Sequence, residues 1–198
     1  MPSVLRRLAP RVALADLPWM LGAAVVGAVI AGVYGVVHDQ ITYAIGPEYF
    51  TNFKFHQFQG ADPGLGDRVF VGTIGLLATW WVGFFAAWFL ARRLIPNQPR
   101  RVACGQVLKG FAVVLACGLL AGVGGYAYGL WRGPDADYSS WAPMLRRLQV
   151  TDTWAFARVA YIHNASYLGG LVGLVAALVL IRPIPSAPPD QAPPRDSG

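Results

Sequence analysis

The sequence predicts an all-α membrane protein, a four-helix transmembrane bundle, and three observations carry that prediction. Four apolar segments, at about 18–37, 69–90, 108–130 and 159–181, have no Asp, Glu, Lys, Arg or His near their centres. Each has the length of about 20 residues that a helix rising 1.5 Å per residue needs to cross roughly 30 Å of hydrocarbon. Hydrophobic residues make up 55% of the chain and charged residues only 13%, where a soluble domain carries about 25% charge. Finally, the basic residues gather in short runs at segment ends. That placement explains the net charge of +6 by contact with anionic lipid and argues against a nucleic-acid partner.

Taken in order, the first segment follows Arg6, Arg7 and Arg11. Its apolar run exceeds a signal-peptide h-region and no A-x-A site follows, so a retained helix is expected. His38-Asp39-Gln40 opens the first long loop. There Pro47-Glu48 starts a helix, and Tyr49, Phe50, Phe53 and Phe58 give it an aromatic face, predicting a short helix over about 47–58 at the membrane surface. Residues 60–66, GADPGLG, turn the chain into the second segment, and 95–101, IPNQPRR, form a tight connector to the third. In the second long loop Trp141, Leu145 and Leu148 predict another surface helix, and Thr151-Asp152-Thr153 caps the last one. Residues 1–182 make the four-span domain. The remaining stretch, 183–198, holds six prolines and is expected to be a disordered cytoplasmic tail. Cys104 and Cys117 stand 13 positions apart on one helix, too far for a disulfide.

Orientation follows from the basic residues. Ten of them (Arg6, Arg7, Arg11, Arg92, Arg93, Arg100, Arg101, Lys109, Arg182 and Arg195) fall on one side, and six (Lys54, Arg68, Arg132, Arg146, Arg147 and Arg158) on the other. The positive-inside rule then places both termini in the cytoplasm and both long loops outside, as in a bacterial inner membrane.

Every span carries small residues at four-residue spacing, including Gly27 in the first, Gly83 in the second, Gly118 and Gly122 in the third, and Gly169 and Gly173 in the fourth. In lipid, helices associate where small side chains let backbones approach, so these stripes predict the packing faces. The two halves also share a pattern. Val33-Tyr34-Gly35 matches Ala127-Tyr128-Gly129, and the even-numbered spans carry Gly-rich runs at 71–76 and 168–174, which suggests two repeated helical hairpins. Trp80 and Trp81 fall mid-membrane as packing or lipid-facing bulk.

The chemistry-bearing residues cluster on one side. His38, Asp39, Glu48, Asn52, His56, His163 and Asn164 form a candidate polar cluster at the outer interface. His38, His56 and His163 are the candidate metal ligands, because imidazole with carboxylate binds zinc, copper or iron and also serves as acid and base. Interfacial His tips and helix caps are the plainer reading of the same residues. No P-loop, HExxH, GxSxG or paired CxxC is present, and three histidines are too few for a four-histidine diheme site. No cofactor is strongly indicated. Spans without central charges also argue against a proton-coupled transporter.

The stretch 38–58, HDQITYAIGPEYFTNFKFHQF, with 77–84, LATWWVGF, and 163–170, HNASYLGG, resembles a group of bacterial multi-span integral membrane proteins of uncharacterised activity. The resemblance covers about a quarter of the chain and implies several spans, with no biochemistry to carry over. Three functions stay open at this point. The first is a structural or partner-binding four-span protein, its partners being the bilayer and itself or another membrane protein. The second is a small membrane enzyme or metal-binding protein using the outer His/carboxylate residues. The third is a small transporter or channel.

Overall fold

The computed structural model describes residues 12–96 and 98–184. The N-terminal arginines 6, 7 and 11, and the tail from 185 onward, lie outside the described residues. Those described are helical, with no strand among them. The order is α1 (Leu17–Ile45), a π-helical turn (Phe50–Lys54) running into α2 (Phe55–Phe58), α3 (Asp67–Leu94), α4 (Arg100–Arg132), α5 (Ala142–Arg147) and α6 (Thr153–Leu180). Helices α1, α3, α4 and α6 are the four long and apolar enough to cross a membrane. This is an all-α four-helix bundle and an integral membrane protein.

The long helices outrun their apolar segments. α1 starts with Pro18 in its first turn and has no breaker before Gly46-Pro47, so it continues through His38 and Asp39 to Ile45. Its 29 residues span about 43 Å, more than the bilayer's hydrocarbon. His38-Asp39-Gln40 is therefore the last third of a helix and not the start of a loop. α6 likewise begins six residues before its apolar run, capped by the Asp152 carboxylate accepting the Ala155 N–H at 2.9 Å. At the start of α3, Gly66 takes a φ of 90° that only glycine adopts without strain.

Two close-packed pairs build the bundle, α1 with α3 and α4 with α6. The small-residue stripes are their seams. A Cβ at Gly27 would lie 2.6 Å from the Gly83 carbonyl oxygen, and one at Gly173 would lie 2.8 Å from the Cys117 Cβ. Gly118 and Gly122 face Ser166 across the second seam, and Gly169 faces Ala121 and Cys117. The shared motifs do not sit at matching heights, however. Gly35 meets Gly75 and Thr79, whereas Gly129 meets Arg158, and Gly169 packs on the middle of α4 at Cys117 and Ala121. Trp80 and Trp81 are 45% and 50% exposed, on the lipid-facing side.

Two apolar cores join the pairs. At the end bearing the 95–101 connector (the Arg-rich end), Met20, Leu90, Leu94, Ala103 and Phe111 pack together. At the other, loop-bearing end, Tyr49 and Phe50 from the first loop and Leu145 from α5 pack on Val71, Phe156 and Val159. The aromatic face of the first loop thus turns inward onto the bundle, against the expectation that it lies on the membrane surface. Phe50 is wholly buried. An apolar helix face covers whichever apolar surface is nearest, and here α6 presents Phe156 and Val159 directly beneath it.

Candidate functional site

The buried stripe of α1 runs Ala24, Gly27, Ala31, Gly35 and then, one turn later, Asp39. A side chain on that stripe faces the other helices, so Asp39 points into the bundle at 7% exposure. On α6 the buried stripe contains Ile162, His163, Ser166, Gly169 and Gly173, which sets His163 and Ser166 on the same inward face. Gly46 lets the two helices meet at the loop end, since a Cβ there would lie 2.7 Å from the Ala155 carbonyl oxygen.

The result is a compact group. His38 Nδ1 lies 3.1 Å from Asp39 Oδ1, and His163 Nε2 lies 3.5 Å from the same oxygen. The two imidazole rings are 4.8 Å apart between centroids. His38 Nε2 faces Ser166 Oγ at 3.5 Å. Gly122 on α4 makes room for that hydroxyl, because any Cβ there would collide with Ser166 Oγ. His163 is 2% exposed, and among the described residues neither of its ring nitrogens has a hydrogen-bond partner. A buried polar group left unpaired costs about 1–3 kcal/mol. The Tyr34 hydroxyl is also buried, beside Ser166, without a hydrogen bond of good geometry.

Aromatic rings close the site. Tyr34 packs on His38 at 5.5 Å, and Tyr49, Phe50 and Tyr167 surround His163 at 5.0, 6.0 and 6.3 Å. Tyr49 and Phe50 come from the first loop, at the start of the π-helical turn, where the Phe55 N–H donates to the Phe50 carbonyl. Burial raises the Tyr49 hydroxyl above its ordinary range, with the charges of Tyr167 and Asp39 adding to it, so it stays a neutral donor. Lys54 sits over the rings of Tyr49, Phe53 and Phe58 at 5.5–5.9 Å. Its burial lowers the ammonium pKa, and the Asp39 carboxylate pulls it partly back.

Of the seven polar residues singled out from sequence, His38, Asp39 and His163 come together. Glu48 and Asn52 do another job: they fasten the two loops. Glu48 Oε2 accepts the N–H groups of Thr151 and Asp152 at 2.8 and 2.9 Å, and Oε1 accepts the Thr151 hydroxyl. Asn52 Nδ2 donates to the Gln149 carbonyl at 3.2 Å. Desolvation alone would raise the Glu48 pKa, but these three donors outweigh it and hold the carboxyl below its usual range. His56 and Asn164 are exposed and lie outside the group. Ser166 and Tyr34 belong to it and were not singled out as site residues. The signal for Ser166 was its position one turn after His163 and one turn before Gly169, on the packing face.

Among the described residues, His38, Asp39 and His163 are the group that offers three ligand atoms within 4.8 Å of one another. Around a tetrahedral ion with bonds near 2.1 Å, ligand atoms stand about 3.4 Å apart. The 3.1 and 3.5 Å separations on Asp39 Oδ1 bracket that value, and the two imidazole nitrogens, up to 4.8 Å apart, would have to draw together around an ion. No family model, curated protein or solved structure matches the chain.

Proposed function

We propose that this is a membrane-embedded metal-binding protein. It holds one divalent transition ion between α1 and α6 through His38, Asp39 and His163. The observation that carries the reading is His163: a buried imidazole that makes no hydrogen bond among the described residues, with Nε2 set 3.5 Å from a carboxylate oxygen. Apolar side chains would fill that space at lower cost, and an ion would repay the desolvation of all three groups. With Nε2 of His38 turned to Ser166, its Nδ1 is left for the metal, the kind of outer-shell bond that fixes a ligating tautomer. Two imidazoles and one carboxylate suit Zn²⁺, Fe²⁺ or Cu²⁺ over Ca²⁺ or Mg²⁺. The basic asymmetry supports cytoplasmic termini, with the site near the outer face of the membrane.

Elemental analysis of protein purified without chelator tests this. About one ion per chain is expected in the wild type, and much less in His38→Ala and His163→Ala. Wild-type protein that takes up no transition metal when offered it would refute the proposal. A second reading rests on the order Ser166–His38–Asp39, that of a nucleophile, its base and an orienting acid. It ranks lower because the backbone N–H groups near Ser166 lie inside α6, where they bond along the helix instead of facing an oxyanion. A fluorophosphonate probe that labels wild type and not Ser166→Ala would reverse the ranking.

A further inference from the structure

A cavity lies at the opposite end of the bundle from the His–Asp group. There α1 and α4 part to leave a cleft of about 680 Å³, within the range of about 300–1,000 Å³ seen for ligand pockets. Its walls are apolar: Gly22, Val26 and Ile30 on α1 face Val107, Leu108 and Phe111 on α4. Gly22 faces open space, since a Cβ there would meet nothing within 4 Å. The cleft runs from Pro18 to Ile30, about 18 Å along the helix, close to the roughly 15 Å of hydrocarbon in one leaflet. At its mouth the Arg100 guanidinium stacks over the Trp19 ring at 4.9 Å, and Arg101, the next residue along α4, is exposed.

We infer that this cleft holds one acyl chain of an anionic phospholipid whose headgroup is gripped by Arg100 and Arg101. Hydrocarbon depth selects a lipid tail, and two guanidinium groups at headgroup level select negative charge. Each basic residue near a membrane surface contributes about 1 kcal/mol toward anionic lipid, roughly a fivefold preference. The inference needs only the membrane placement of the bundle and stands apart from the metal site.

Native mass spectrometry of the detergent-solubilised full chain tests it. The probe is an equimolar mixture of phosphatidylglycerol and phosphatidylcholine with identical acyl chains. Wild type should retain a single phosphatidylglycerol at about 25-fold over phosphatidylcholine, fivefold from each of the two guanidinium groups. Arg100→Gln should keep a lipid adduct while its preference falls by about fivefold. Gly22→Phe, which fills the cleft, should lose adducts of both lipids, and Val26→Trp does the same job should Gly22→Phe not fold. Alkylation of Cys104, which lines the cleft, should slow when phosphatidylglycerol is added to wild type. Equal retention of both lipids, an undiminished adduct in a folded cleft-filling variant, or a lipid-free dimer would each overturn the inference.

Discussion

Adjacent glycines on α4 should respond to the same substitution with opposite signs. Gly125 is buried on the seam with α6, where a Cβ would lie 2.5 Å from the Tyr161 carbonyl oxygen and 2.9 Å from the Ala165 Cβ. Ordinary contact begins near 3.4 Å, so Gly125→Ala forces the pair apart by about 0.9 Å (3.4 − 2.5) against a backbone atom that cannot swing away. Overpacking of this kind costs about 1–3 kcal/mol. Gly124, one residue earlier, faces lipid with nothing within 4 Å of its Cβ position. Gly124→Ala meets no clash and gains up to about 1 kcal/mol of helix propensity. At about 2–4 °C per kcal/mol, the two variants should melt on either side of wild type, by roughly 2–12 °C below and up to about 4 °C above. Thermal unfolding in detergent, followed by circular dichroism, measures both. Equal shifts of one sign would mean that the α4–α6 seam is not where the structure puts it.

Glu48→Gln removes the charge from three hydrogen bonds between the loops, a loss of about 1 kcal/mol after solvent screening is allowed for. Amide exchange at Thr151 and Asp152 should quicken at neutral pH. Because the folded pKa of Glu48 is lowered, its contribution is present above the usual carboxylate range and fades as pH falls through the folded value. Wild type and Glu48→Gln should therefore converge in acid, and a gap that widens there would contradict the assignment. Topology is checked with reporter fusions. Those after Gly60 and Asp137 should report the extracytoplasmic side and one after Asn97 the cytoplasm, and the reverse pattern would invert the orientation.

Helix identity was legible in the sequence because lipid allows few alternatives: an apolar run of this length has nowhere to satisfy its backbone except in a helix. Helix ends were less legible. The residues 38–45 look polar enough for a loop, yet only Gly46-Pro47 can stop the helix. The site was half legible. His38, Asp39 and His163 stood out by residue type, but their convergence depended on helix rotation. Carrying the Ala31–Gly35 stripe one turn further lands on Asp39, and carrying the Gly173–Gly169 stripe back lands on Ser166 and His163. Asn164, about 100° around the helix from His163, turns outward for the same reason. The aromatic loop shows what pattern alone leaves open. Tyr49, Phe50 and Phe53 announce an apolar face, but whether it meets lipid or protein is settled by the tertiary neighbours Phe156 and His163.

Cobalt binding to the solubilised protein tests the central claim most directly, because Co²⁺ reports its own coordination through visible absorption. Titration of metal-free wild type should saturate near one ion per chain with the intense bands of a tetrahedral or five-coordinate N/O site. The signal should weaken in acid, since both imidazoles must be neutral to ligate. It should vanish in Asp39→Asn and His163→Ala and persist in His56→Ala, whose side chain is exposed outside the group. Cobalt that stays octahedral and weakly coloured in wild type, or a signal lost on changing His56 and kept on changing His163, would contradict a metal site between α1 and α6.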